Sequence, residues 1–263
     1  MIKCPKCGFE NPEGSHKTCV ACGAHLPVNQ EPRYFRAPSA CKPTTEAVSE
    51  DDRLTALAKR VKRATTYVMT FGENMGAVGT AFFIEYEGDT YIITNHHVIE
   101  NAEDDGIVTL MFPEEILRGK DKFSASIMAT DPLNDVALLN LFIPMPPGTE
   151  LLELADMSTL AELQEVITVG NPHGIEFTAT RGNISKVHFN VGKSPLSQIL
   201  CSLGAGPGNS GGAVVRCSDG KVIGIATGIF PADHLQMETV CASADAVRQL
   251  ICKYKYEKNN AKR

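Results

Sequence analysis

An all-β body, a sandwich or a pair of barrels preceded by a small metal-binding module, is the fold class that the sequence predicts. Two patterns carry the prediction. From residue 65 onward, short β-branched and aromatic runs alternate with glycine-containing breaks, about a dozen of them at the even spacing of a sandwich or barrel pair. Before residue 23, a Cys-x-x-Cys-Gly sequence occurs twice. The length of 263 residues suits one principal domain with an appendage, since domains commonly run to roughly 100–200 residues. Hydrophobic residues at 43% and charged residues at 21% are ordinary globular values, which excludes disorder and coiled coil. No apolar stretch approaches the roughly 18 residues of a membrane span. A net charge of -6 argues against nucleic-acid affinity, which needs a basic surface to displace counterions from phosphates.

The first element is the cysteine repeat, Cys4-Pro5-Lys6-Cys7-Gly8 and Cys19-Val20-Ala21-Cys22-Gly23. Two intervening residues let both sulfurs of a pair reach one ion at about 2.3 Å, and the glycine admits the positive-φ turn that closes the knuckle. Cys4, Cys7, Cys19 and Cys22 are therefore expected to hold one structural Zn2+, in a ribbon over residues 1–27. Eleven residues separate the pairs, which demands a compact hairpin, and Asn11-Pro12-Glu13-Gly14 supplies its turn chemistry. A redox Cys-x-x-Cys would open a helix after a strand, a context missing at Cys7 and Cys22. His16 and His25 read as solvated loop residues, because four thiolates already fill the shell. So short a segment has little apolar surface, and metal binding supplies most of its folding energy.

Residues 28–49 carry Pro32, Pro38 and Pro43 with no apolar period and read as a linker. Ser49 with Asp52 reads as a capping box, and Leu54, Leu57, Ala58 and Val61 recur at helical spacing, so a helix is expected over 50–64. Its acidic start and basic end complement the helix dipole. Strands are then expected at 65–69, 79–86, 90–94, 107–112, 124–128 and 136–141, and again at 166–169, 177–180, 198–202, 213–217, 222–226 and 239–242. The leucine-rich, acidic stretch 151–165 joins the two series.

Three islands in this body carry chemistry. Thr94-Asn95-His96-His97-Val98-Ile99 ends a strand, Asn134-Asp135-Val136-Ala137-Leu138-Leu139 opens one with a lone acid, and Gly206-Pro207-Gly208-Asn209-Ser210-Gly211-Gly212 wraps one serine in glycine. A serine hydroxyl is a poor nucleophile until an imidazole takes its proton, and that imidazole needs an anion to hold its tautomer. His97 as base, Asp135 as orienting acid and Ser210 as nucleophile fill these roles, with His96 a competitor for the first on sequence alone. The tight loop can aim the N–H groups of Gly208 and Ser210 at an oxyanion. Gly208-x-Ser210-x-Gly212 also satisfies the nucleophile elbow of α/β-hydrolases. That fold requires a helix after the serine and the order serine, acid, histidine. A strand reads better after Gly212, and Asp219 or Asp233 with His234 follow too closely to leave room for the intervening sheet.

Over about residues 65–252 the chain resembles trypsin-like proteases of the HtrA (Deg) type. In that family a Thr-Asn-x-His-Val, an Asp-x-Ala-Leu and a Gly-Asn-Ser-Gly-Gly island occur in this order. Gly170-Asn171-Pro172-His173-Gly174 and Ala242-Ser243-Ala244-Asp245-Ala246-Val247 resemble further segments of it. The resemblance implies two six-stranded antiparallel barrels, about 65–145 and about 160–252, with the active site between them and a closing C-terminal helix. It implies a protease domain over 50–252, with residues 253–263 a basic tail. No PDZ segment follows Cys252 in the sequence, so peptide-gated activation is not carried over. Digestive and clotting relatives carry an acid before the catalytic serine. Asn209 stands there in this chain, and zymogen cleavage is not expected.

The expected activity is thus serine endopeptidase action through an acyl-enzyme, with no catalytic cofactor. A non-catalytic peptide-binding module on the same fold is the alternative, and an esterase with the same triad a weaker one. The resemblance implies a pocket floor six residues before Ser210, where trypsin-like enzymes set theirs, and this chain has Gly204 there with Leu203 and Ala205 beside it and no acid. Ala226, Thr227 and Gly228 mark its walls and a strand for the substrate backbone. Cleavage after small or medium apolar residues follows. Polypeptides are the expected substrates, the ribbon is open to a protein partner, and the sequence is compatible with an oligomer. Neither nucleic acid nor membrane is expected as a partner. Nine cysteines, an odd number, and a start lacking the apolar core of a secretory signal point to free thiols and a cytoplasmic location.

Overall fold

The computed structural model of the protein describes residues 2–11, 18–26, 49–71, 76–102, 106–117, 121–204, 206–231 and 237–261. The turn expected at 12–14, the linker over 28–48, and expectations resting on His16, Cys41, Ala205, Asp233 and His234 lie outside these described residues. The chain divides into two compact units, Met1–Ala47 and Val48–Arg263.

The first unit is built on two copies of one turn. In the first, Gly8 N–H donates to Cys4 O at 2.9 Å and Cys4 N–H to Phe9 O at 2.8 Å; in the second, Gly23 N–H donates to Cys19 O at 2.9 Å and Cys19 N–H to Ala24 O at 2.7 Å. Gly8 and Gly23 hold φ of +75° and +67°, the left-handed conformation that the knuckle requires. Strands β1 (Ile2–Lys3) and β2 (Glu10–Asn11) pair antiparallel beneath the first knuckle. Buried Asn11 ties the two copies together, accepting from Val20 N–H at 3.0 Å and donating to Cys19 Sγ at 3.6 Å.

The second unit opens with α1 (Glu50–Arg63), one residue shorter than the sequence predicts. Ser49 caps it, its side chain accepting from Asp52 N–H at 3.1 Å, and the acidic first turn and basic last turn stand as expected. Its face of Leu57, Ala58 and Val61 packs into the core.

Six strands, β3 (Thr65–Phe71), β4 (Gly76–Tyr86), β5 (Asp89–Thr94), β6 (Ile107–Met111), β7 (Lys122–Asp131) and β8 (Val136–Leu141), close a barrel in the order β3-β4-β5-β8-β7-β6. Six more, β9 (Glu165–Gly170), β10 (Thr178–Phe189), β11 (Gln198–Cys201), β12 (Ala213–Arg216), β13 (Val222–Pro231) and β14 (Met237–Ser243), close a second as β10-β11-β14-β13-β12-β9. Every pairing is antiparallel, and all twelve expected strands are present. The segment after Ser210 is the strand β12, which disposes of the nucleophile elbow. The largest departure is β10, expected to stop at 180. Polar Arg181, Asn183 and Lys186 read as loop residues, yet they occupy a strand whose outer face is exposed. Gly182 sits there because a Cβ would meet Ser202 O at 2.3 Å.

Closed barrels leave no continuous free edge, so the two are joined by side chains, by single backbone bonds and by the segment between them. Leu152 bridges to Ile84 of β4 and Leu154 to Val222 of β13, both in parallel. The ties are reciprocal: Leu152 N–H donates to Phe83 O at 3.0 Å and Ala155 N–H to Val222 O at 2.8 Å, while Glu85 and Val222 N–H groups return bonds to Leu152 O and Glu153 O. A C-terminal helix α3 (Ala244–Asn260) lays Val247, Leu250 and Ile251 on the same seam, and the basic residues after Cys252 continue it to Asn260. Lys255 fixes its far end, 3.0 Å from both Glu87 and Asp89 in the β4–β5 hairpin. No helix is long and apolar enough to cross a membrane among the described residues.

Leu152, fully buried where α1, both barrels and α3 meet, should be the costliest single truncation of this seam. Leu152→Ala is expected to destabilise the body by about 3 kcal/mol, read from the denaturant midpoint. Leu133→Ala, at a residue 59% exposed, should cost less than about 0.5 kcal/mol.

Candidate active site

The histidine island forms a four-residue helix, α2 (His96–Ile99), directly after β5. Val98 and Ile99 sink into the first barrel's core, which leaves His97 on the outer side of the turn. Asn95, fully buried at the head of the turn, donates to Asp135 O at 2.7 Å and to Thr227 Oγ1 at 3.1 Å, so it spans from the first barrel to the second.

Asp135 ends the β7–β8 turn with φ of +56°, a left-handed conformation that aspartate tolerates better than most residues. Asp131 shapes that turn by accepting from the N–H groups of Leu133 and Asn134, both at 3.2 Å. Both oxygens of the Asp135 carboxylate then engage His97: Oδ1 accepts the backbone N–H at 2.9 Å and Oδ2 lies 2.7 Å from ring Nδ1. A carboxylate placed against Nδ1 puts the ring proton on that nitrogen and leaves Nε2 as the basic one. His97, favoured over His96 in the sequence by its place before Val98, is the one that this two-point hold falls on.

Ser210 lies half-buried in the loop before β12. Gly208 and Gly211 give the loop its shape with φ of +103° and +87°. Neither tolerates a side chain, since a Cβ would meet Asn171 O at 2.1 Å and Thr80 O at 2.0 Å respectively. Asn209 N–H donates to Gly206 O at 3.1 Å, Gly211 N–H to Ala226 O at 2.9 Å and Gly212 N–H to Asn209 O at 3.0 Å. The N–H groups of Gly208 and Ser210 have no acceptor among the described residues. The Ser210 hydroxyl donates to Thr227 O at 3.4 Å, and no hydrogen bond from it to His97 exists among the described residues. A register shift in β13 between Ala226 and Gly228 turns Thr227 out of the ladder toward this loop.

Beside Ser210 is a cavity of about 200 Å³ lined by Gly206, Pro207, Asn209, Ala226, Gly228, Ile229 and Thr239. No charged residue is among them. Ala226 and Gly228, two of the expected wall residues, line this cavity. Gly204 does not, standing exposed behind the loop with its carbonyl accepting from Asn209 Nδ2 at 3.3 Å, and Thr227 serves Ser210 and Asn95 instead. Asn95, Thr80, Asn171, Ile229 and Thr239 are site residues that sequence reasoning missed. Asn95 and Asn171 stood inside the quoted islands and could have been asked what they bond. The other three sit in ordinary strand runs and carried no signal.

The four thiols of the first unit also converge. Cys4, Cys7, Cys19 and Cys22 sulfurs all lie within 4.8 Å of one another, with Cys4–Cys22 and Cys7–Cys19 at 3.7 Å. Thiolates 2.3 Å from a tetrahedral ion stand about 3.8 Å apart, so the donor set and its spacing fit a metal ion. The other cysteines among the described residues, Cys201, Cys217, Cys241 and Cys252, are free thiols.

Comparison with known proteins agrees with this geometry. The family model described as the trypsin-like peptidase domain matches residues 79–225, which span all three islands. The periplasmic serine endoprotease DegP of Salmonella typhimurium is 31% identical over 163 residues, covering 60% of this chain and 31% of the relative. A probable periplasmic serine endoprotease DegP-like of Marinomonas sp. is 30% identical over 155 residues, 59% of this chain and 30% of the relative. The chain thus matches less than a third of the length of these curated relatives. Among solved structures, the HtrA-type protease AlgW with tripeptide superposes with a TM-score of 0.61 at 26% identity, over 73% of this chain and 61% of that one. The cytoplasmic location expected from the sequence is overturned by these names, since the relatives are periplasmic. That expectation rested on the residues after Met1, which carry no weight against them. With two closed antiparallel barrels, a loop of paired glycines around one serine, and these likenesses, the chain belongs to the trypsin-like peptidase domain family and to its HtrA type.

Proposed function

We propose that this chain is a serine endopeptidase in which His97, Asp135 and Ser210 form the catalytic triad and polypeptides are the substrates. One observation carries the reading: a histidine held by one carboxylate through its backbone N–H and its Nδ1 follows two residues after Asn95, which bonds Thr227, and Thr227 in turn takes the hydroxyl of a serine flanked by two unpaired N–H groups. The Ser210 hydroxyl turns from Thr227 O to His97 Nε2 and attacks the scissile carbonyl while its proton passes to that nitrogen. The carbonyl oxygen becomes an oxyanion and is received by the N–H groups of Gly208 and Ser210. His97 then returns the proton to the leaving amine, and the acyl-enzyme remains. Water, deprotonated by the same imidazole, releases the acid and restores the hydroxyl. Asp135 keeps Nδ1 protonated and balances the imidazolium throughout. The relatives' periplasmic setting comes with this reading.

The uncharged cavity beside Ser210 suits a small or medium apolar side chain before the cleaved bond. The exposed stretch at Thr227 and Gly228 offers a substrate backbone the pairing of an added strand. In the first unit Cys4, Cys7, Cys19 and Cys22 would hold a zinc ion. A four-thiolate shell keeps no open position, so the ion serves as a structural cross-link and takes no part in hydrolysis. The segment 1–27 is then a ribbon, residues 28–49 a tether, 50–252 the protease domain and 253–263 its basic end, with a protein partner for the ribbon.

Labelling by a fluorophosphonate probe at Ser210 tests the activity directly. Ser210→Ala or His97→Ala should lower kcat on a peptide by about 10⁴–10⁶-fold with the thermal midpoint preserved, and Asp135→Asn by roughly 10⁴-fold through the wrong tautomer. An active His97→Ala beside a dead His96→Ala would reassign the base. A peptide-library profile should be dominated by small and medium apolar residues before the cleaved bond, and one dominated by lysine or arginine would refute the pocket assignment. Metal analysis should return one zinc per chain. Chelation, or a chain beginning near Ser49, should leave short-peptide turnover nearly unchanged, and loss of turnover with the body still folded would make the ribbon part of the active architecture.

A further inference from the structure

The carbonyls of Pro207, Gly208, Asn209 and Ser210 are each taken by a donor, and the donors come from both barrels. His173 N–H donates to Pro207 O at 2.7 Å, Gly212 N–H to Asn209 O at 3.0 Å and Thr80 N–H to Ser210 O at 2.8 Å. Gly208 O accepts from the Thr80 hydroxyl at 2.8 Å and, less closely, from Asn171 N–H at 3.4 Å. The peptide between Gly208 and Asn209 lies between the two unpaired N–H groups, so its orientation sets the angle at which they converge. Gly208 has no side chain to resist rotation. The orientation of that peptide must therefore be imposed from outside it.

Thr80 is fully buried on β4 in the first barrel, whereas Gly208 belongs to the second. Asn171, also fully buried, donates from Nδ2 to Thr80 Oγ1 at 2.9 Å, and its own Oδ1 accepts from Phe177 N–H at 2.9 Å. A threonine hydroxyl has one proton. Because Oγ1 receives the Asn171 N–H, that proton is directed at Gly208 O. Three successive bonds, from Phe177 through Asn171 and Thr80, thus end on the peptide between the oxyanion donors. The Thr80 carbonyl is occupied as well, accepting from Thr94 Oγ1 at 2.7 Å, which fixes the backbone from which the hydroxyl acts.

We propose that Thr80 is a positioning residue of the oxyanion hole: its hydroxyl, oriented by Asn171, holds the Gly208 carbonyl so that the N–H groups of Gly208 and Ser210 stay aimed at the substrate oxygen. The inference rests on the serine-endopeptidase reading above. Thr80 touches no reacting atom, so its effect falls on kcat and on oxyanion-like ligands, while ground-state binding is spared.

The test measures hydrolysis of a short apolar peptide amide by the wild type, Thr80→Val and Thr80→Ser. Beside it go affinities for a peptide aldehyde, whose serine adduct puts its oxygen in the oxyanion hole, and for the matching peptide alcohol, which forms no adduct. Thr80→Val should lower kcat by roughly 10–100-fold, less than loss of a donor itself, with KM unchanged. It should weaken the aldehyde by the same factor and leave the alcohol alone, while Thr80→Ser keeps kcat within about threefold. A wild-type kcat in Thr80→Val, a loss confined to KM, an unweakened aldehyde, or a Thr80→Ser as poor as Thr80→Val each overturns the proposal. If Thr80→Val does not fold, Thr80→Cys, a feebler donor of similar size, carries the same measurements. A wild type that neither turns over the peptide nor takes a fluorophosphonate overturns the endopeptidase reading and this inference together. An active wild type beside an equally active Thr80→Val overturns the role of Thr80 alone.

Discussion

A closed barrel pairs its strands with one another, so two closed barrels offer each other no continuous hydrogen-bonding edge, only single groups such as Thr80 N–H, which meets Ser210 O. The active cleft depends on how that constraint is met. Apolar burial along the seam, from α1 through Leu152 to α3, holds the barrels together but is indifferent to small displacements. Registration to fractions of an ångström falls to a few buried polar crossings: Asn95 to Thr227, Asn171 to Thr80, and Thr80 to Gly208 and Ser210. Asn95 to Thr227 ends two residues from His97, Thr80 to Gly208 and Ser210 ends on the serine loop, and Asn171 to Thr80 supports the latter. In a low-dielectric seam an unmade bond of this kind costs about 1–3 kcal/mol, which is enough to specify one docking geometry over its neighbours.

Two of the five left-handed residues other than glycine among the described residues lie at the same place. Asp135 and His173 are left-handed residues with side chains, of a class costing roughly 1–3 kcal/mol each, and Gly208 and Gly211 are left-handed beside the nucleophile. Each is held by neighbours. Asp135 is fixed through the two bonds to His97 and the one from Asn95 to its carbonyl, and His173 through its N–H to Pro207 O. The local chain gives up its preferred conformation so that a carboxylate meets an imidazole and two N–H groups meet no partner. Unsatisfied donors in a partly enclosed loop are expensive in the resting protein. They are useful only if something arriving in the cleft carries the missing negative charge.

Much of this was legible in the sequence because its signals are local. Strand runs alternate with glycine breaks regardless of what they pair with, and all twelve were placed. His97, Asp135 and Ser210 stand out in the sequence because histidine, aspartate and serine are chemically conspicuous when each stands in a distinctive island. Thr80 shows what stays hidden. A threonine in a β-branched run is what strand propensity alone would supply, and nothing in Gly79-Thr80-Ala81 tells that its hydroxyl crosses to a loop 128 residues later. Gly204 fails for the complementary reason. Counting back from Ser210 assumes a loop path, and this loop carries Gly204 outside the pocket while Ile229 and Thr239 enter from β13 and β14. The overrun of β10 to Phe189 has the same origin, because a polar outer face on a barrel strand looks like loop when pairing is unseen.

The ribbon answers a different constraint with different means. Among the described residues its buried apolar set is Cys4, Cys19 and Leu26 with Ala24 packed against them, little to set against the ordering of the chain. Two knuckles with the same bonds and the same left-handed glycines bring four sulfurs together where a larger domain would bring leucines, and Asn11 fixes one knuckle to the other. Four thiols in that cluster repel as they ionise, so the arrangement is favourable only with a cation at its centre. The body needs no such ion, since its stability is spread over three apolar clusters. The two units thus rest on different sources of stability, a thiol cluster that favours a cation in one and apolar burial in the other.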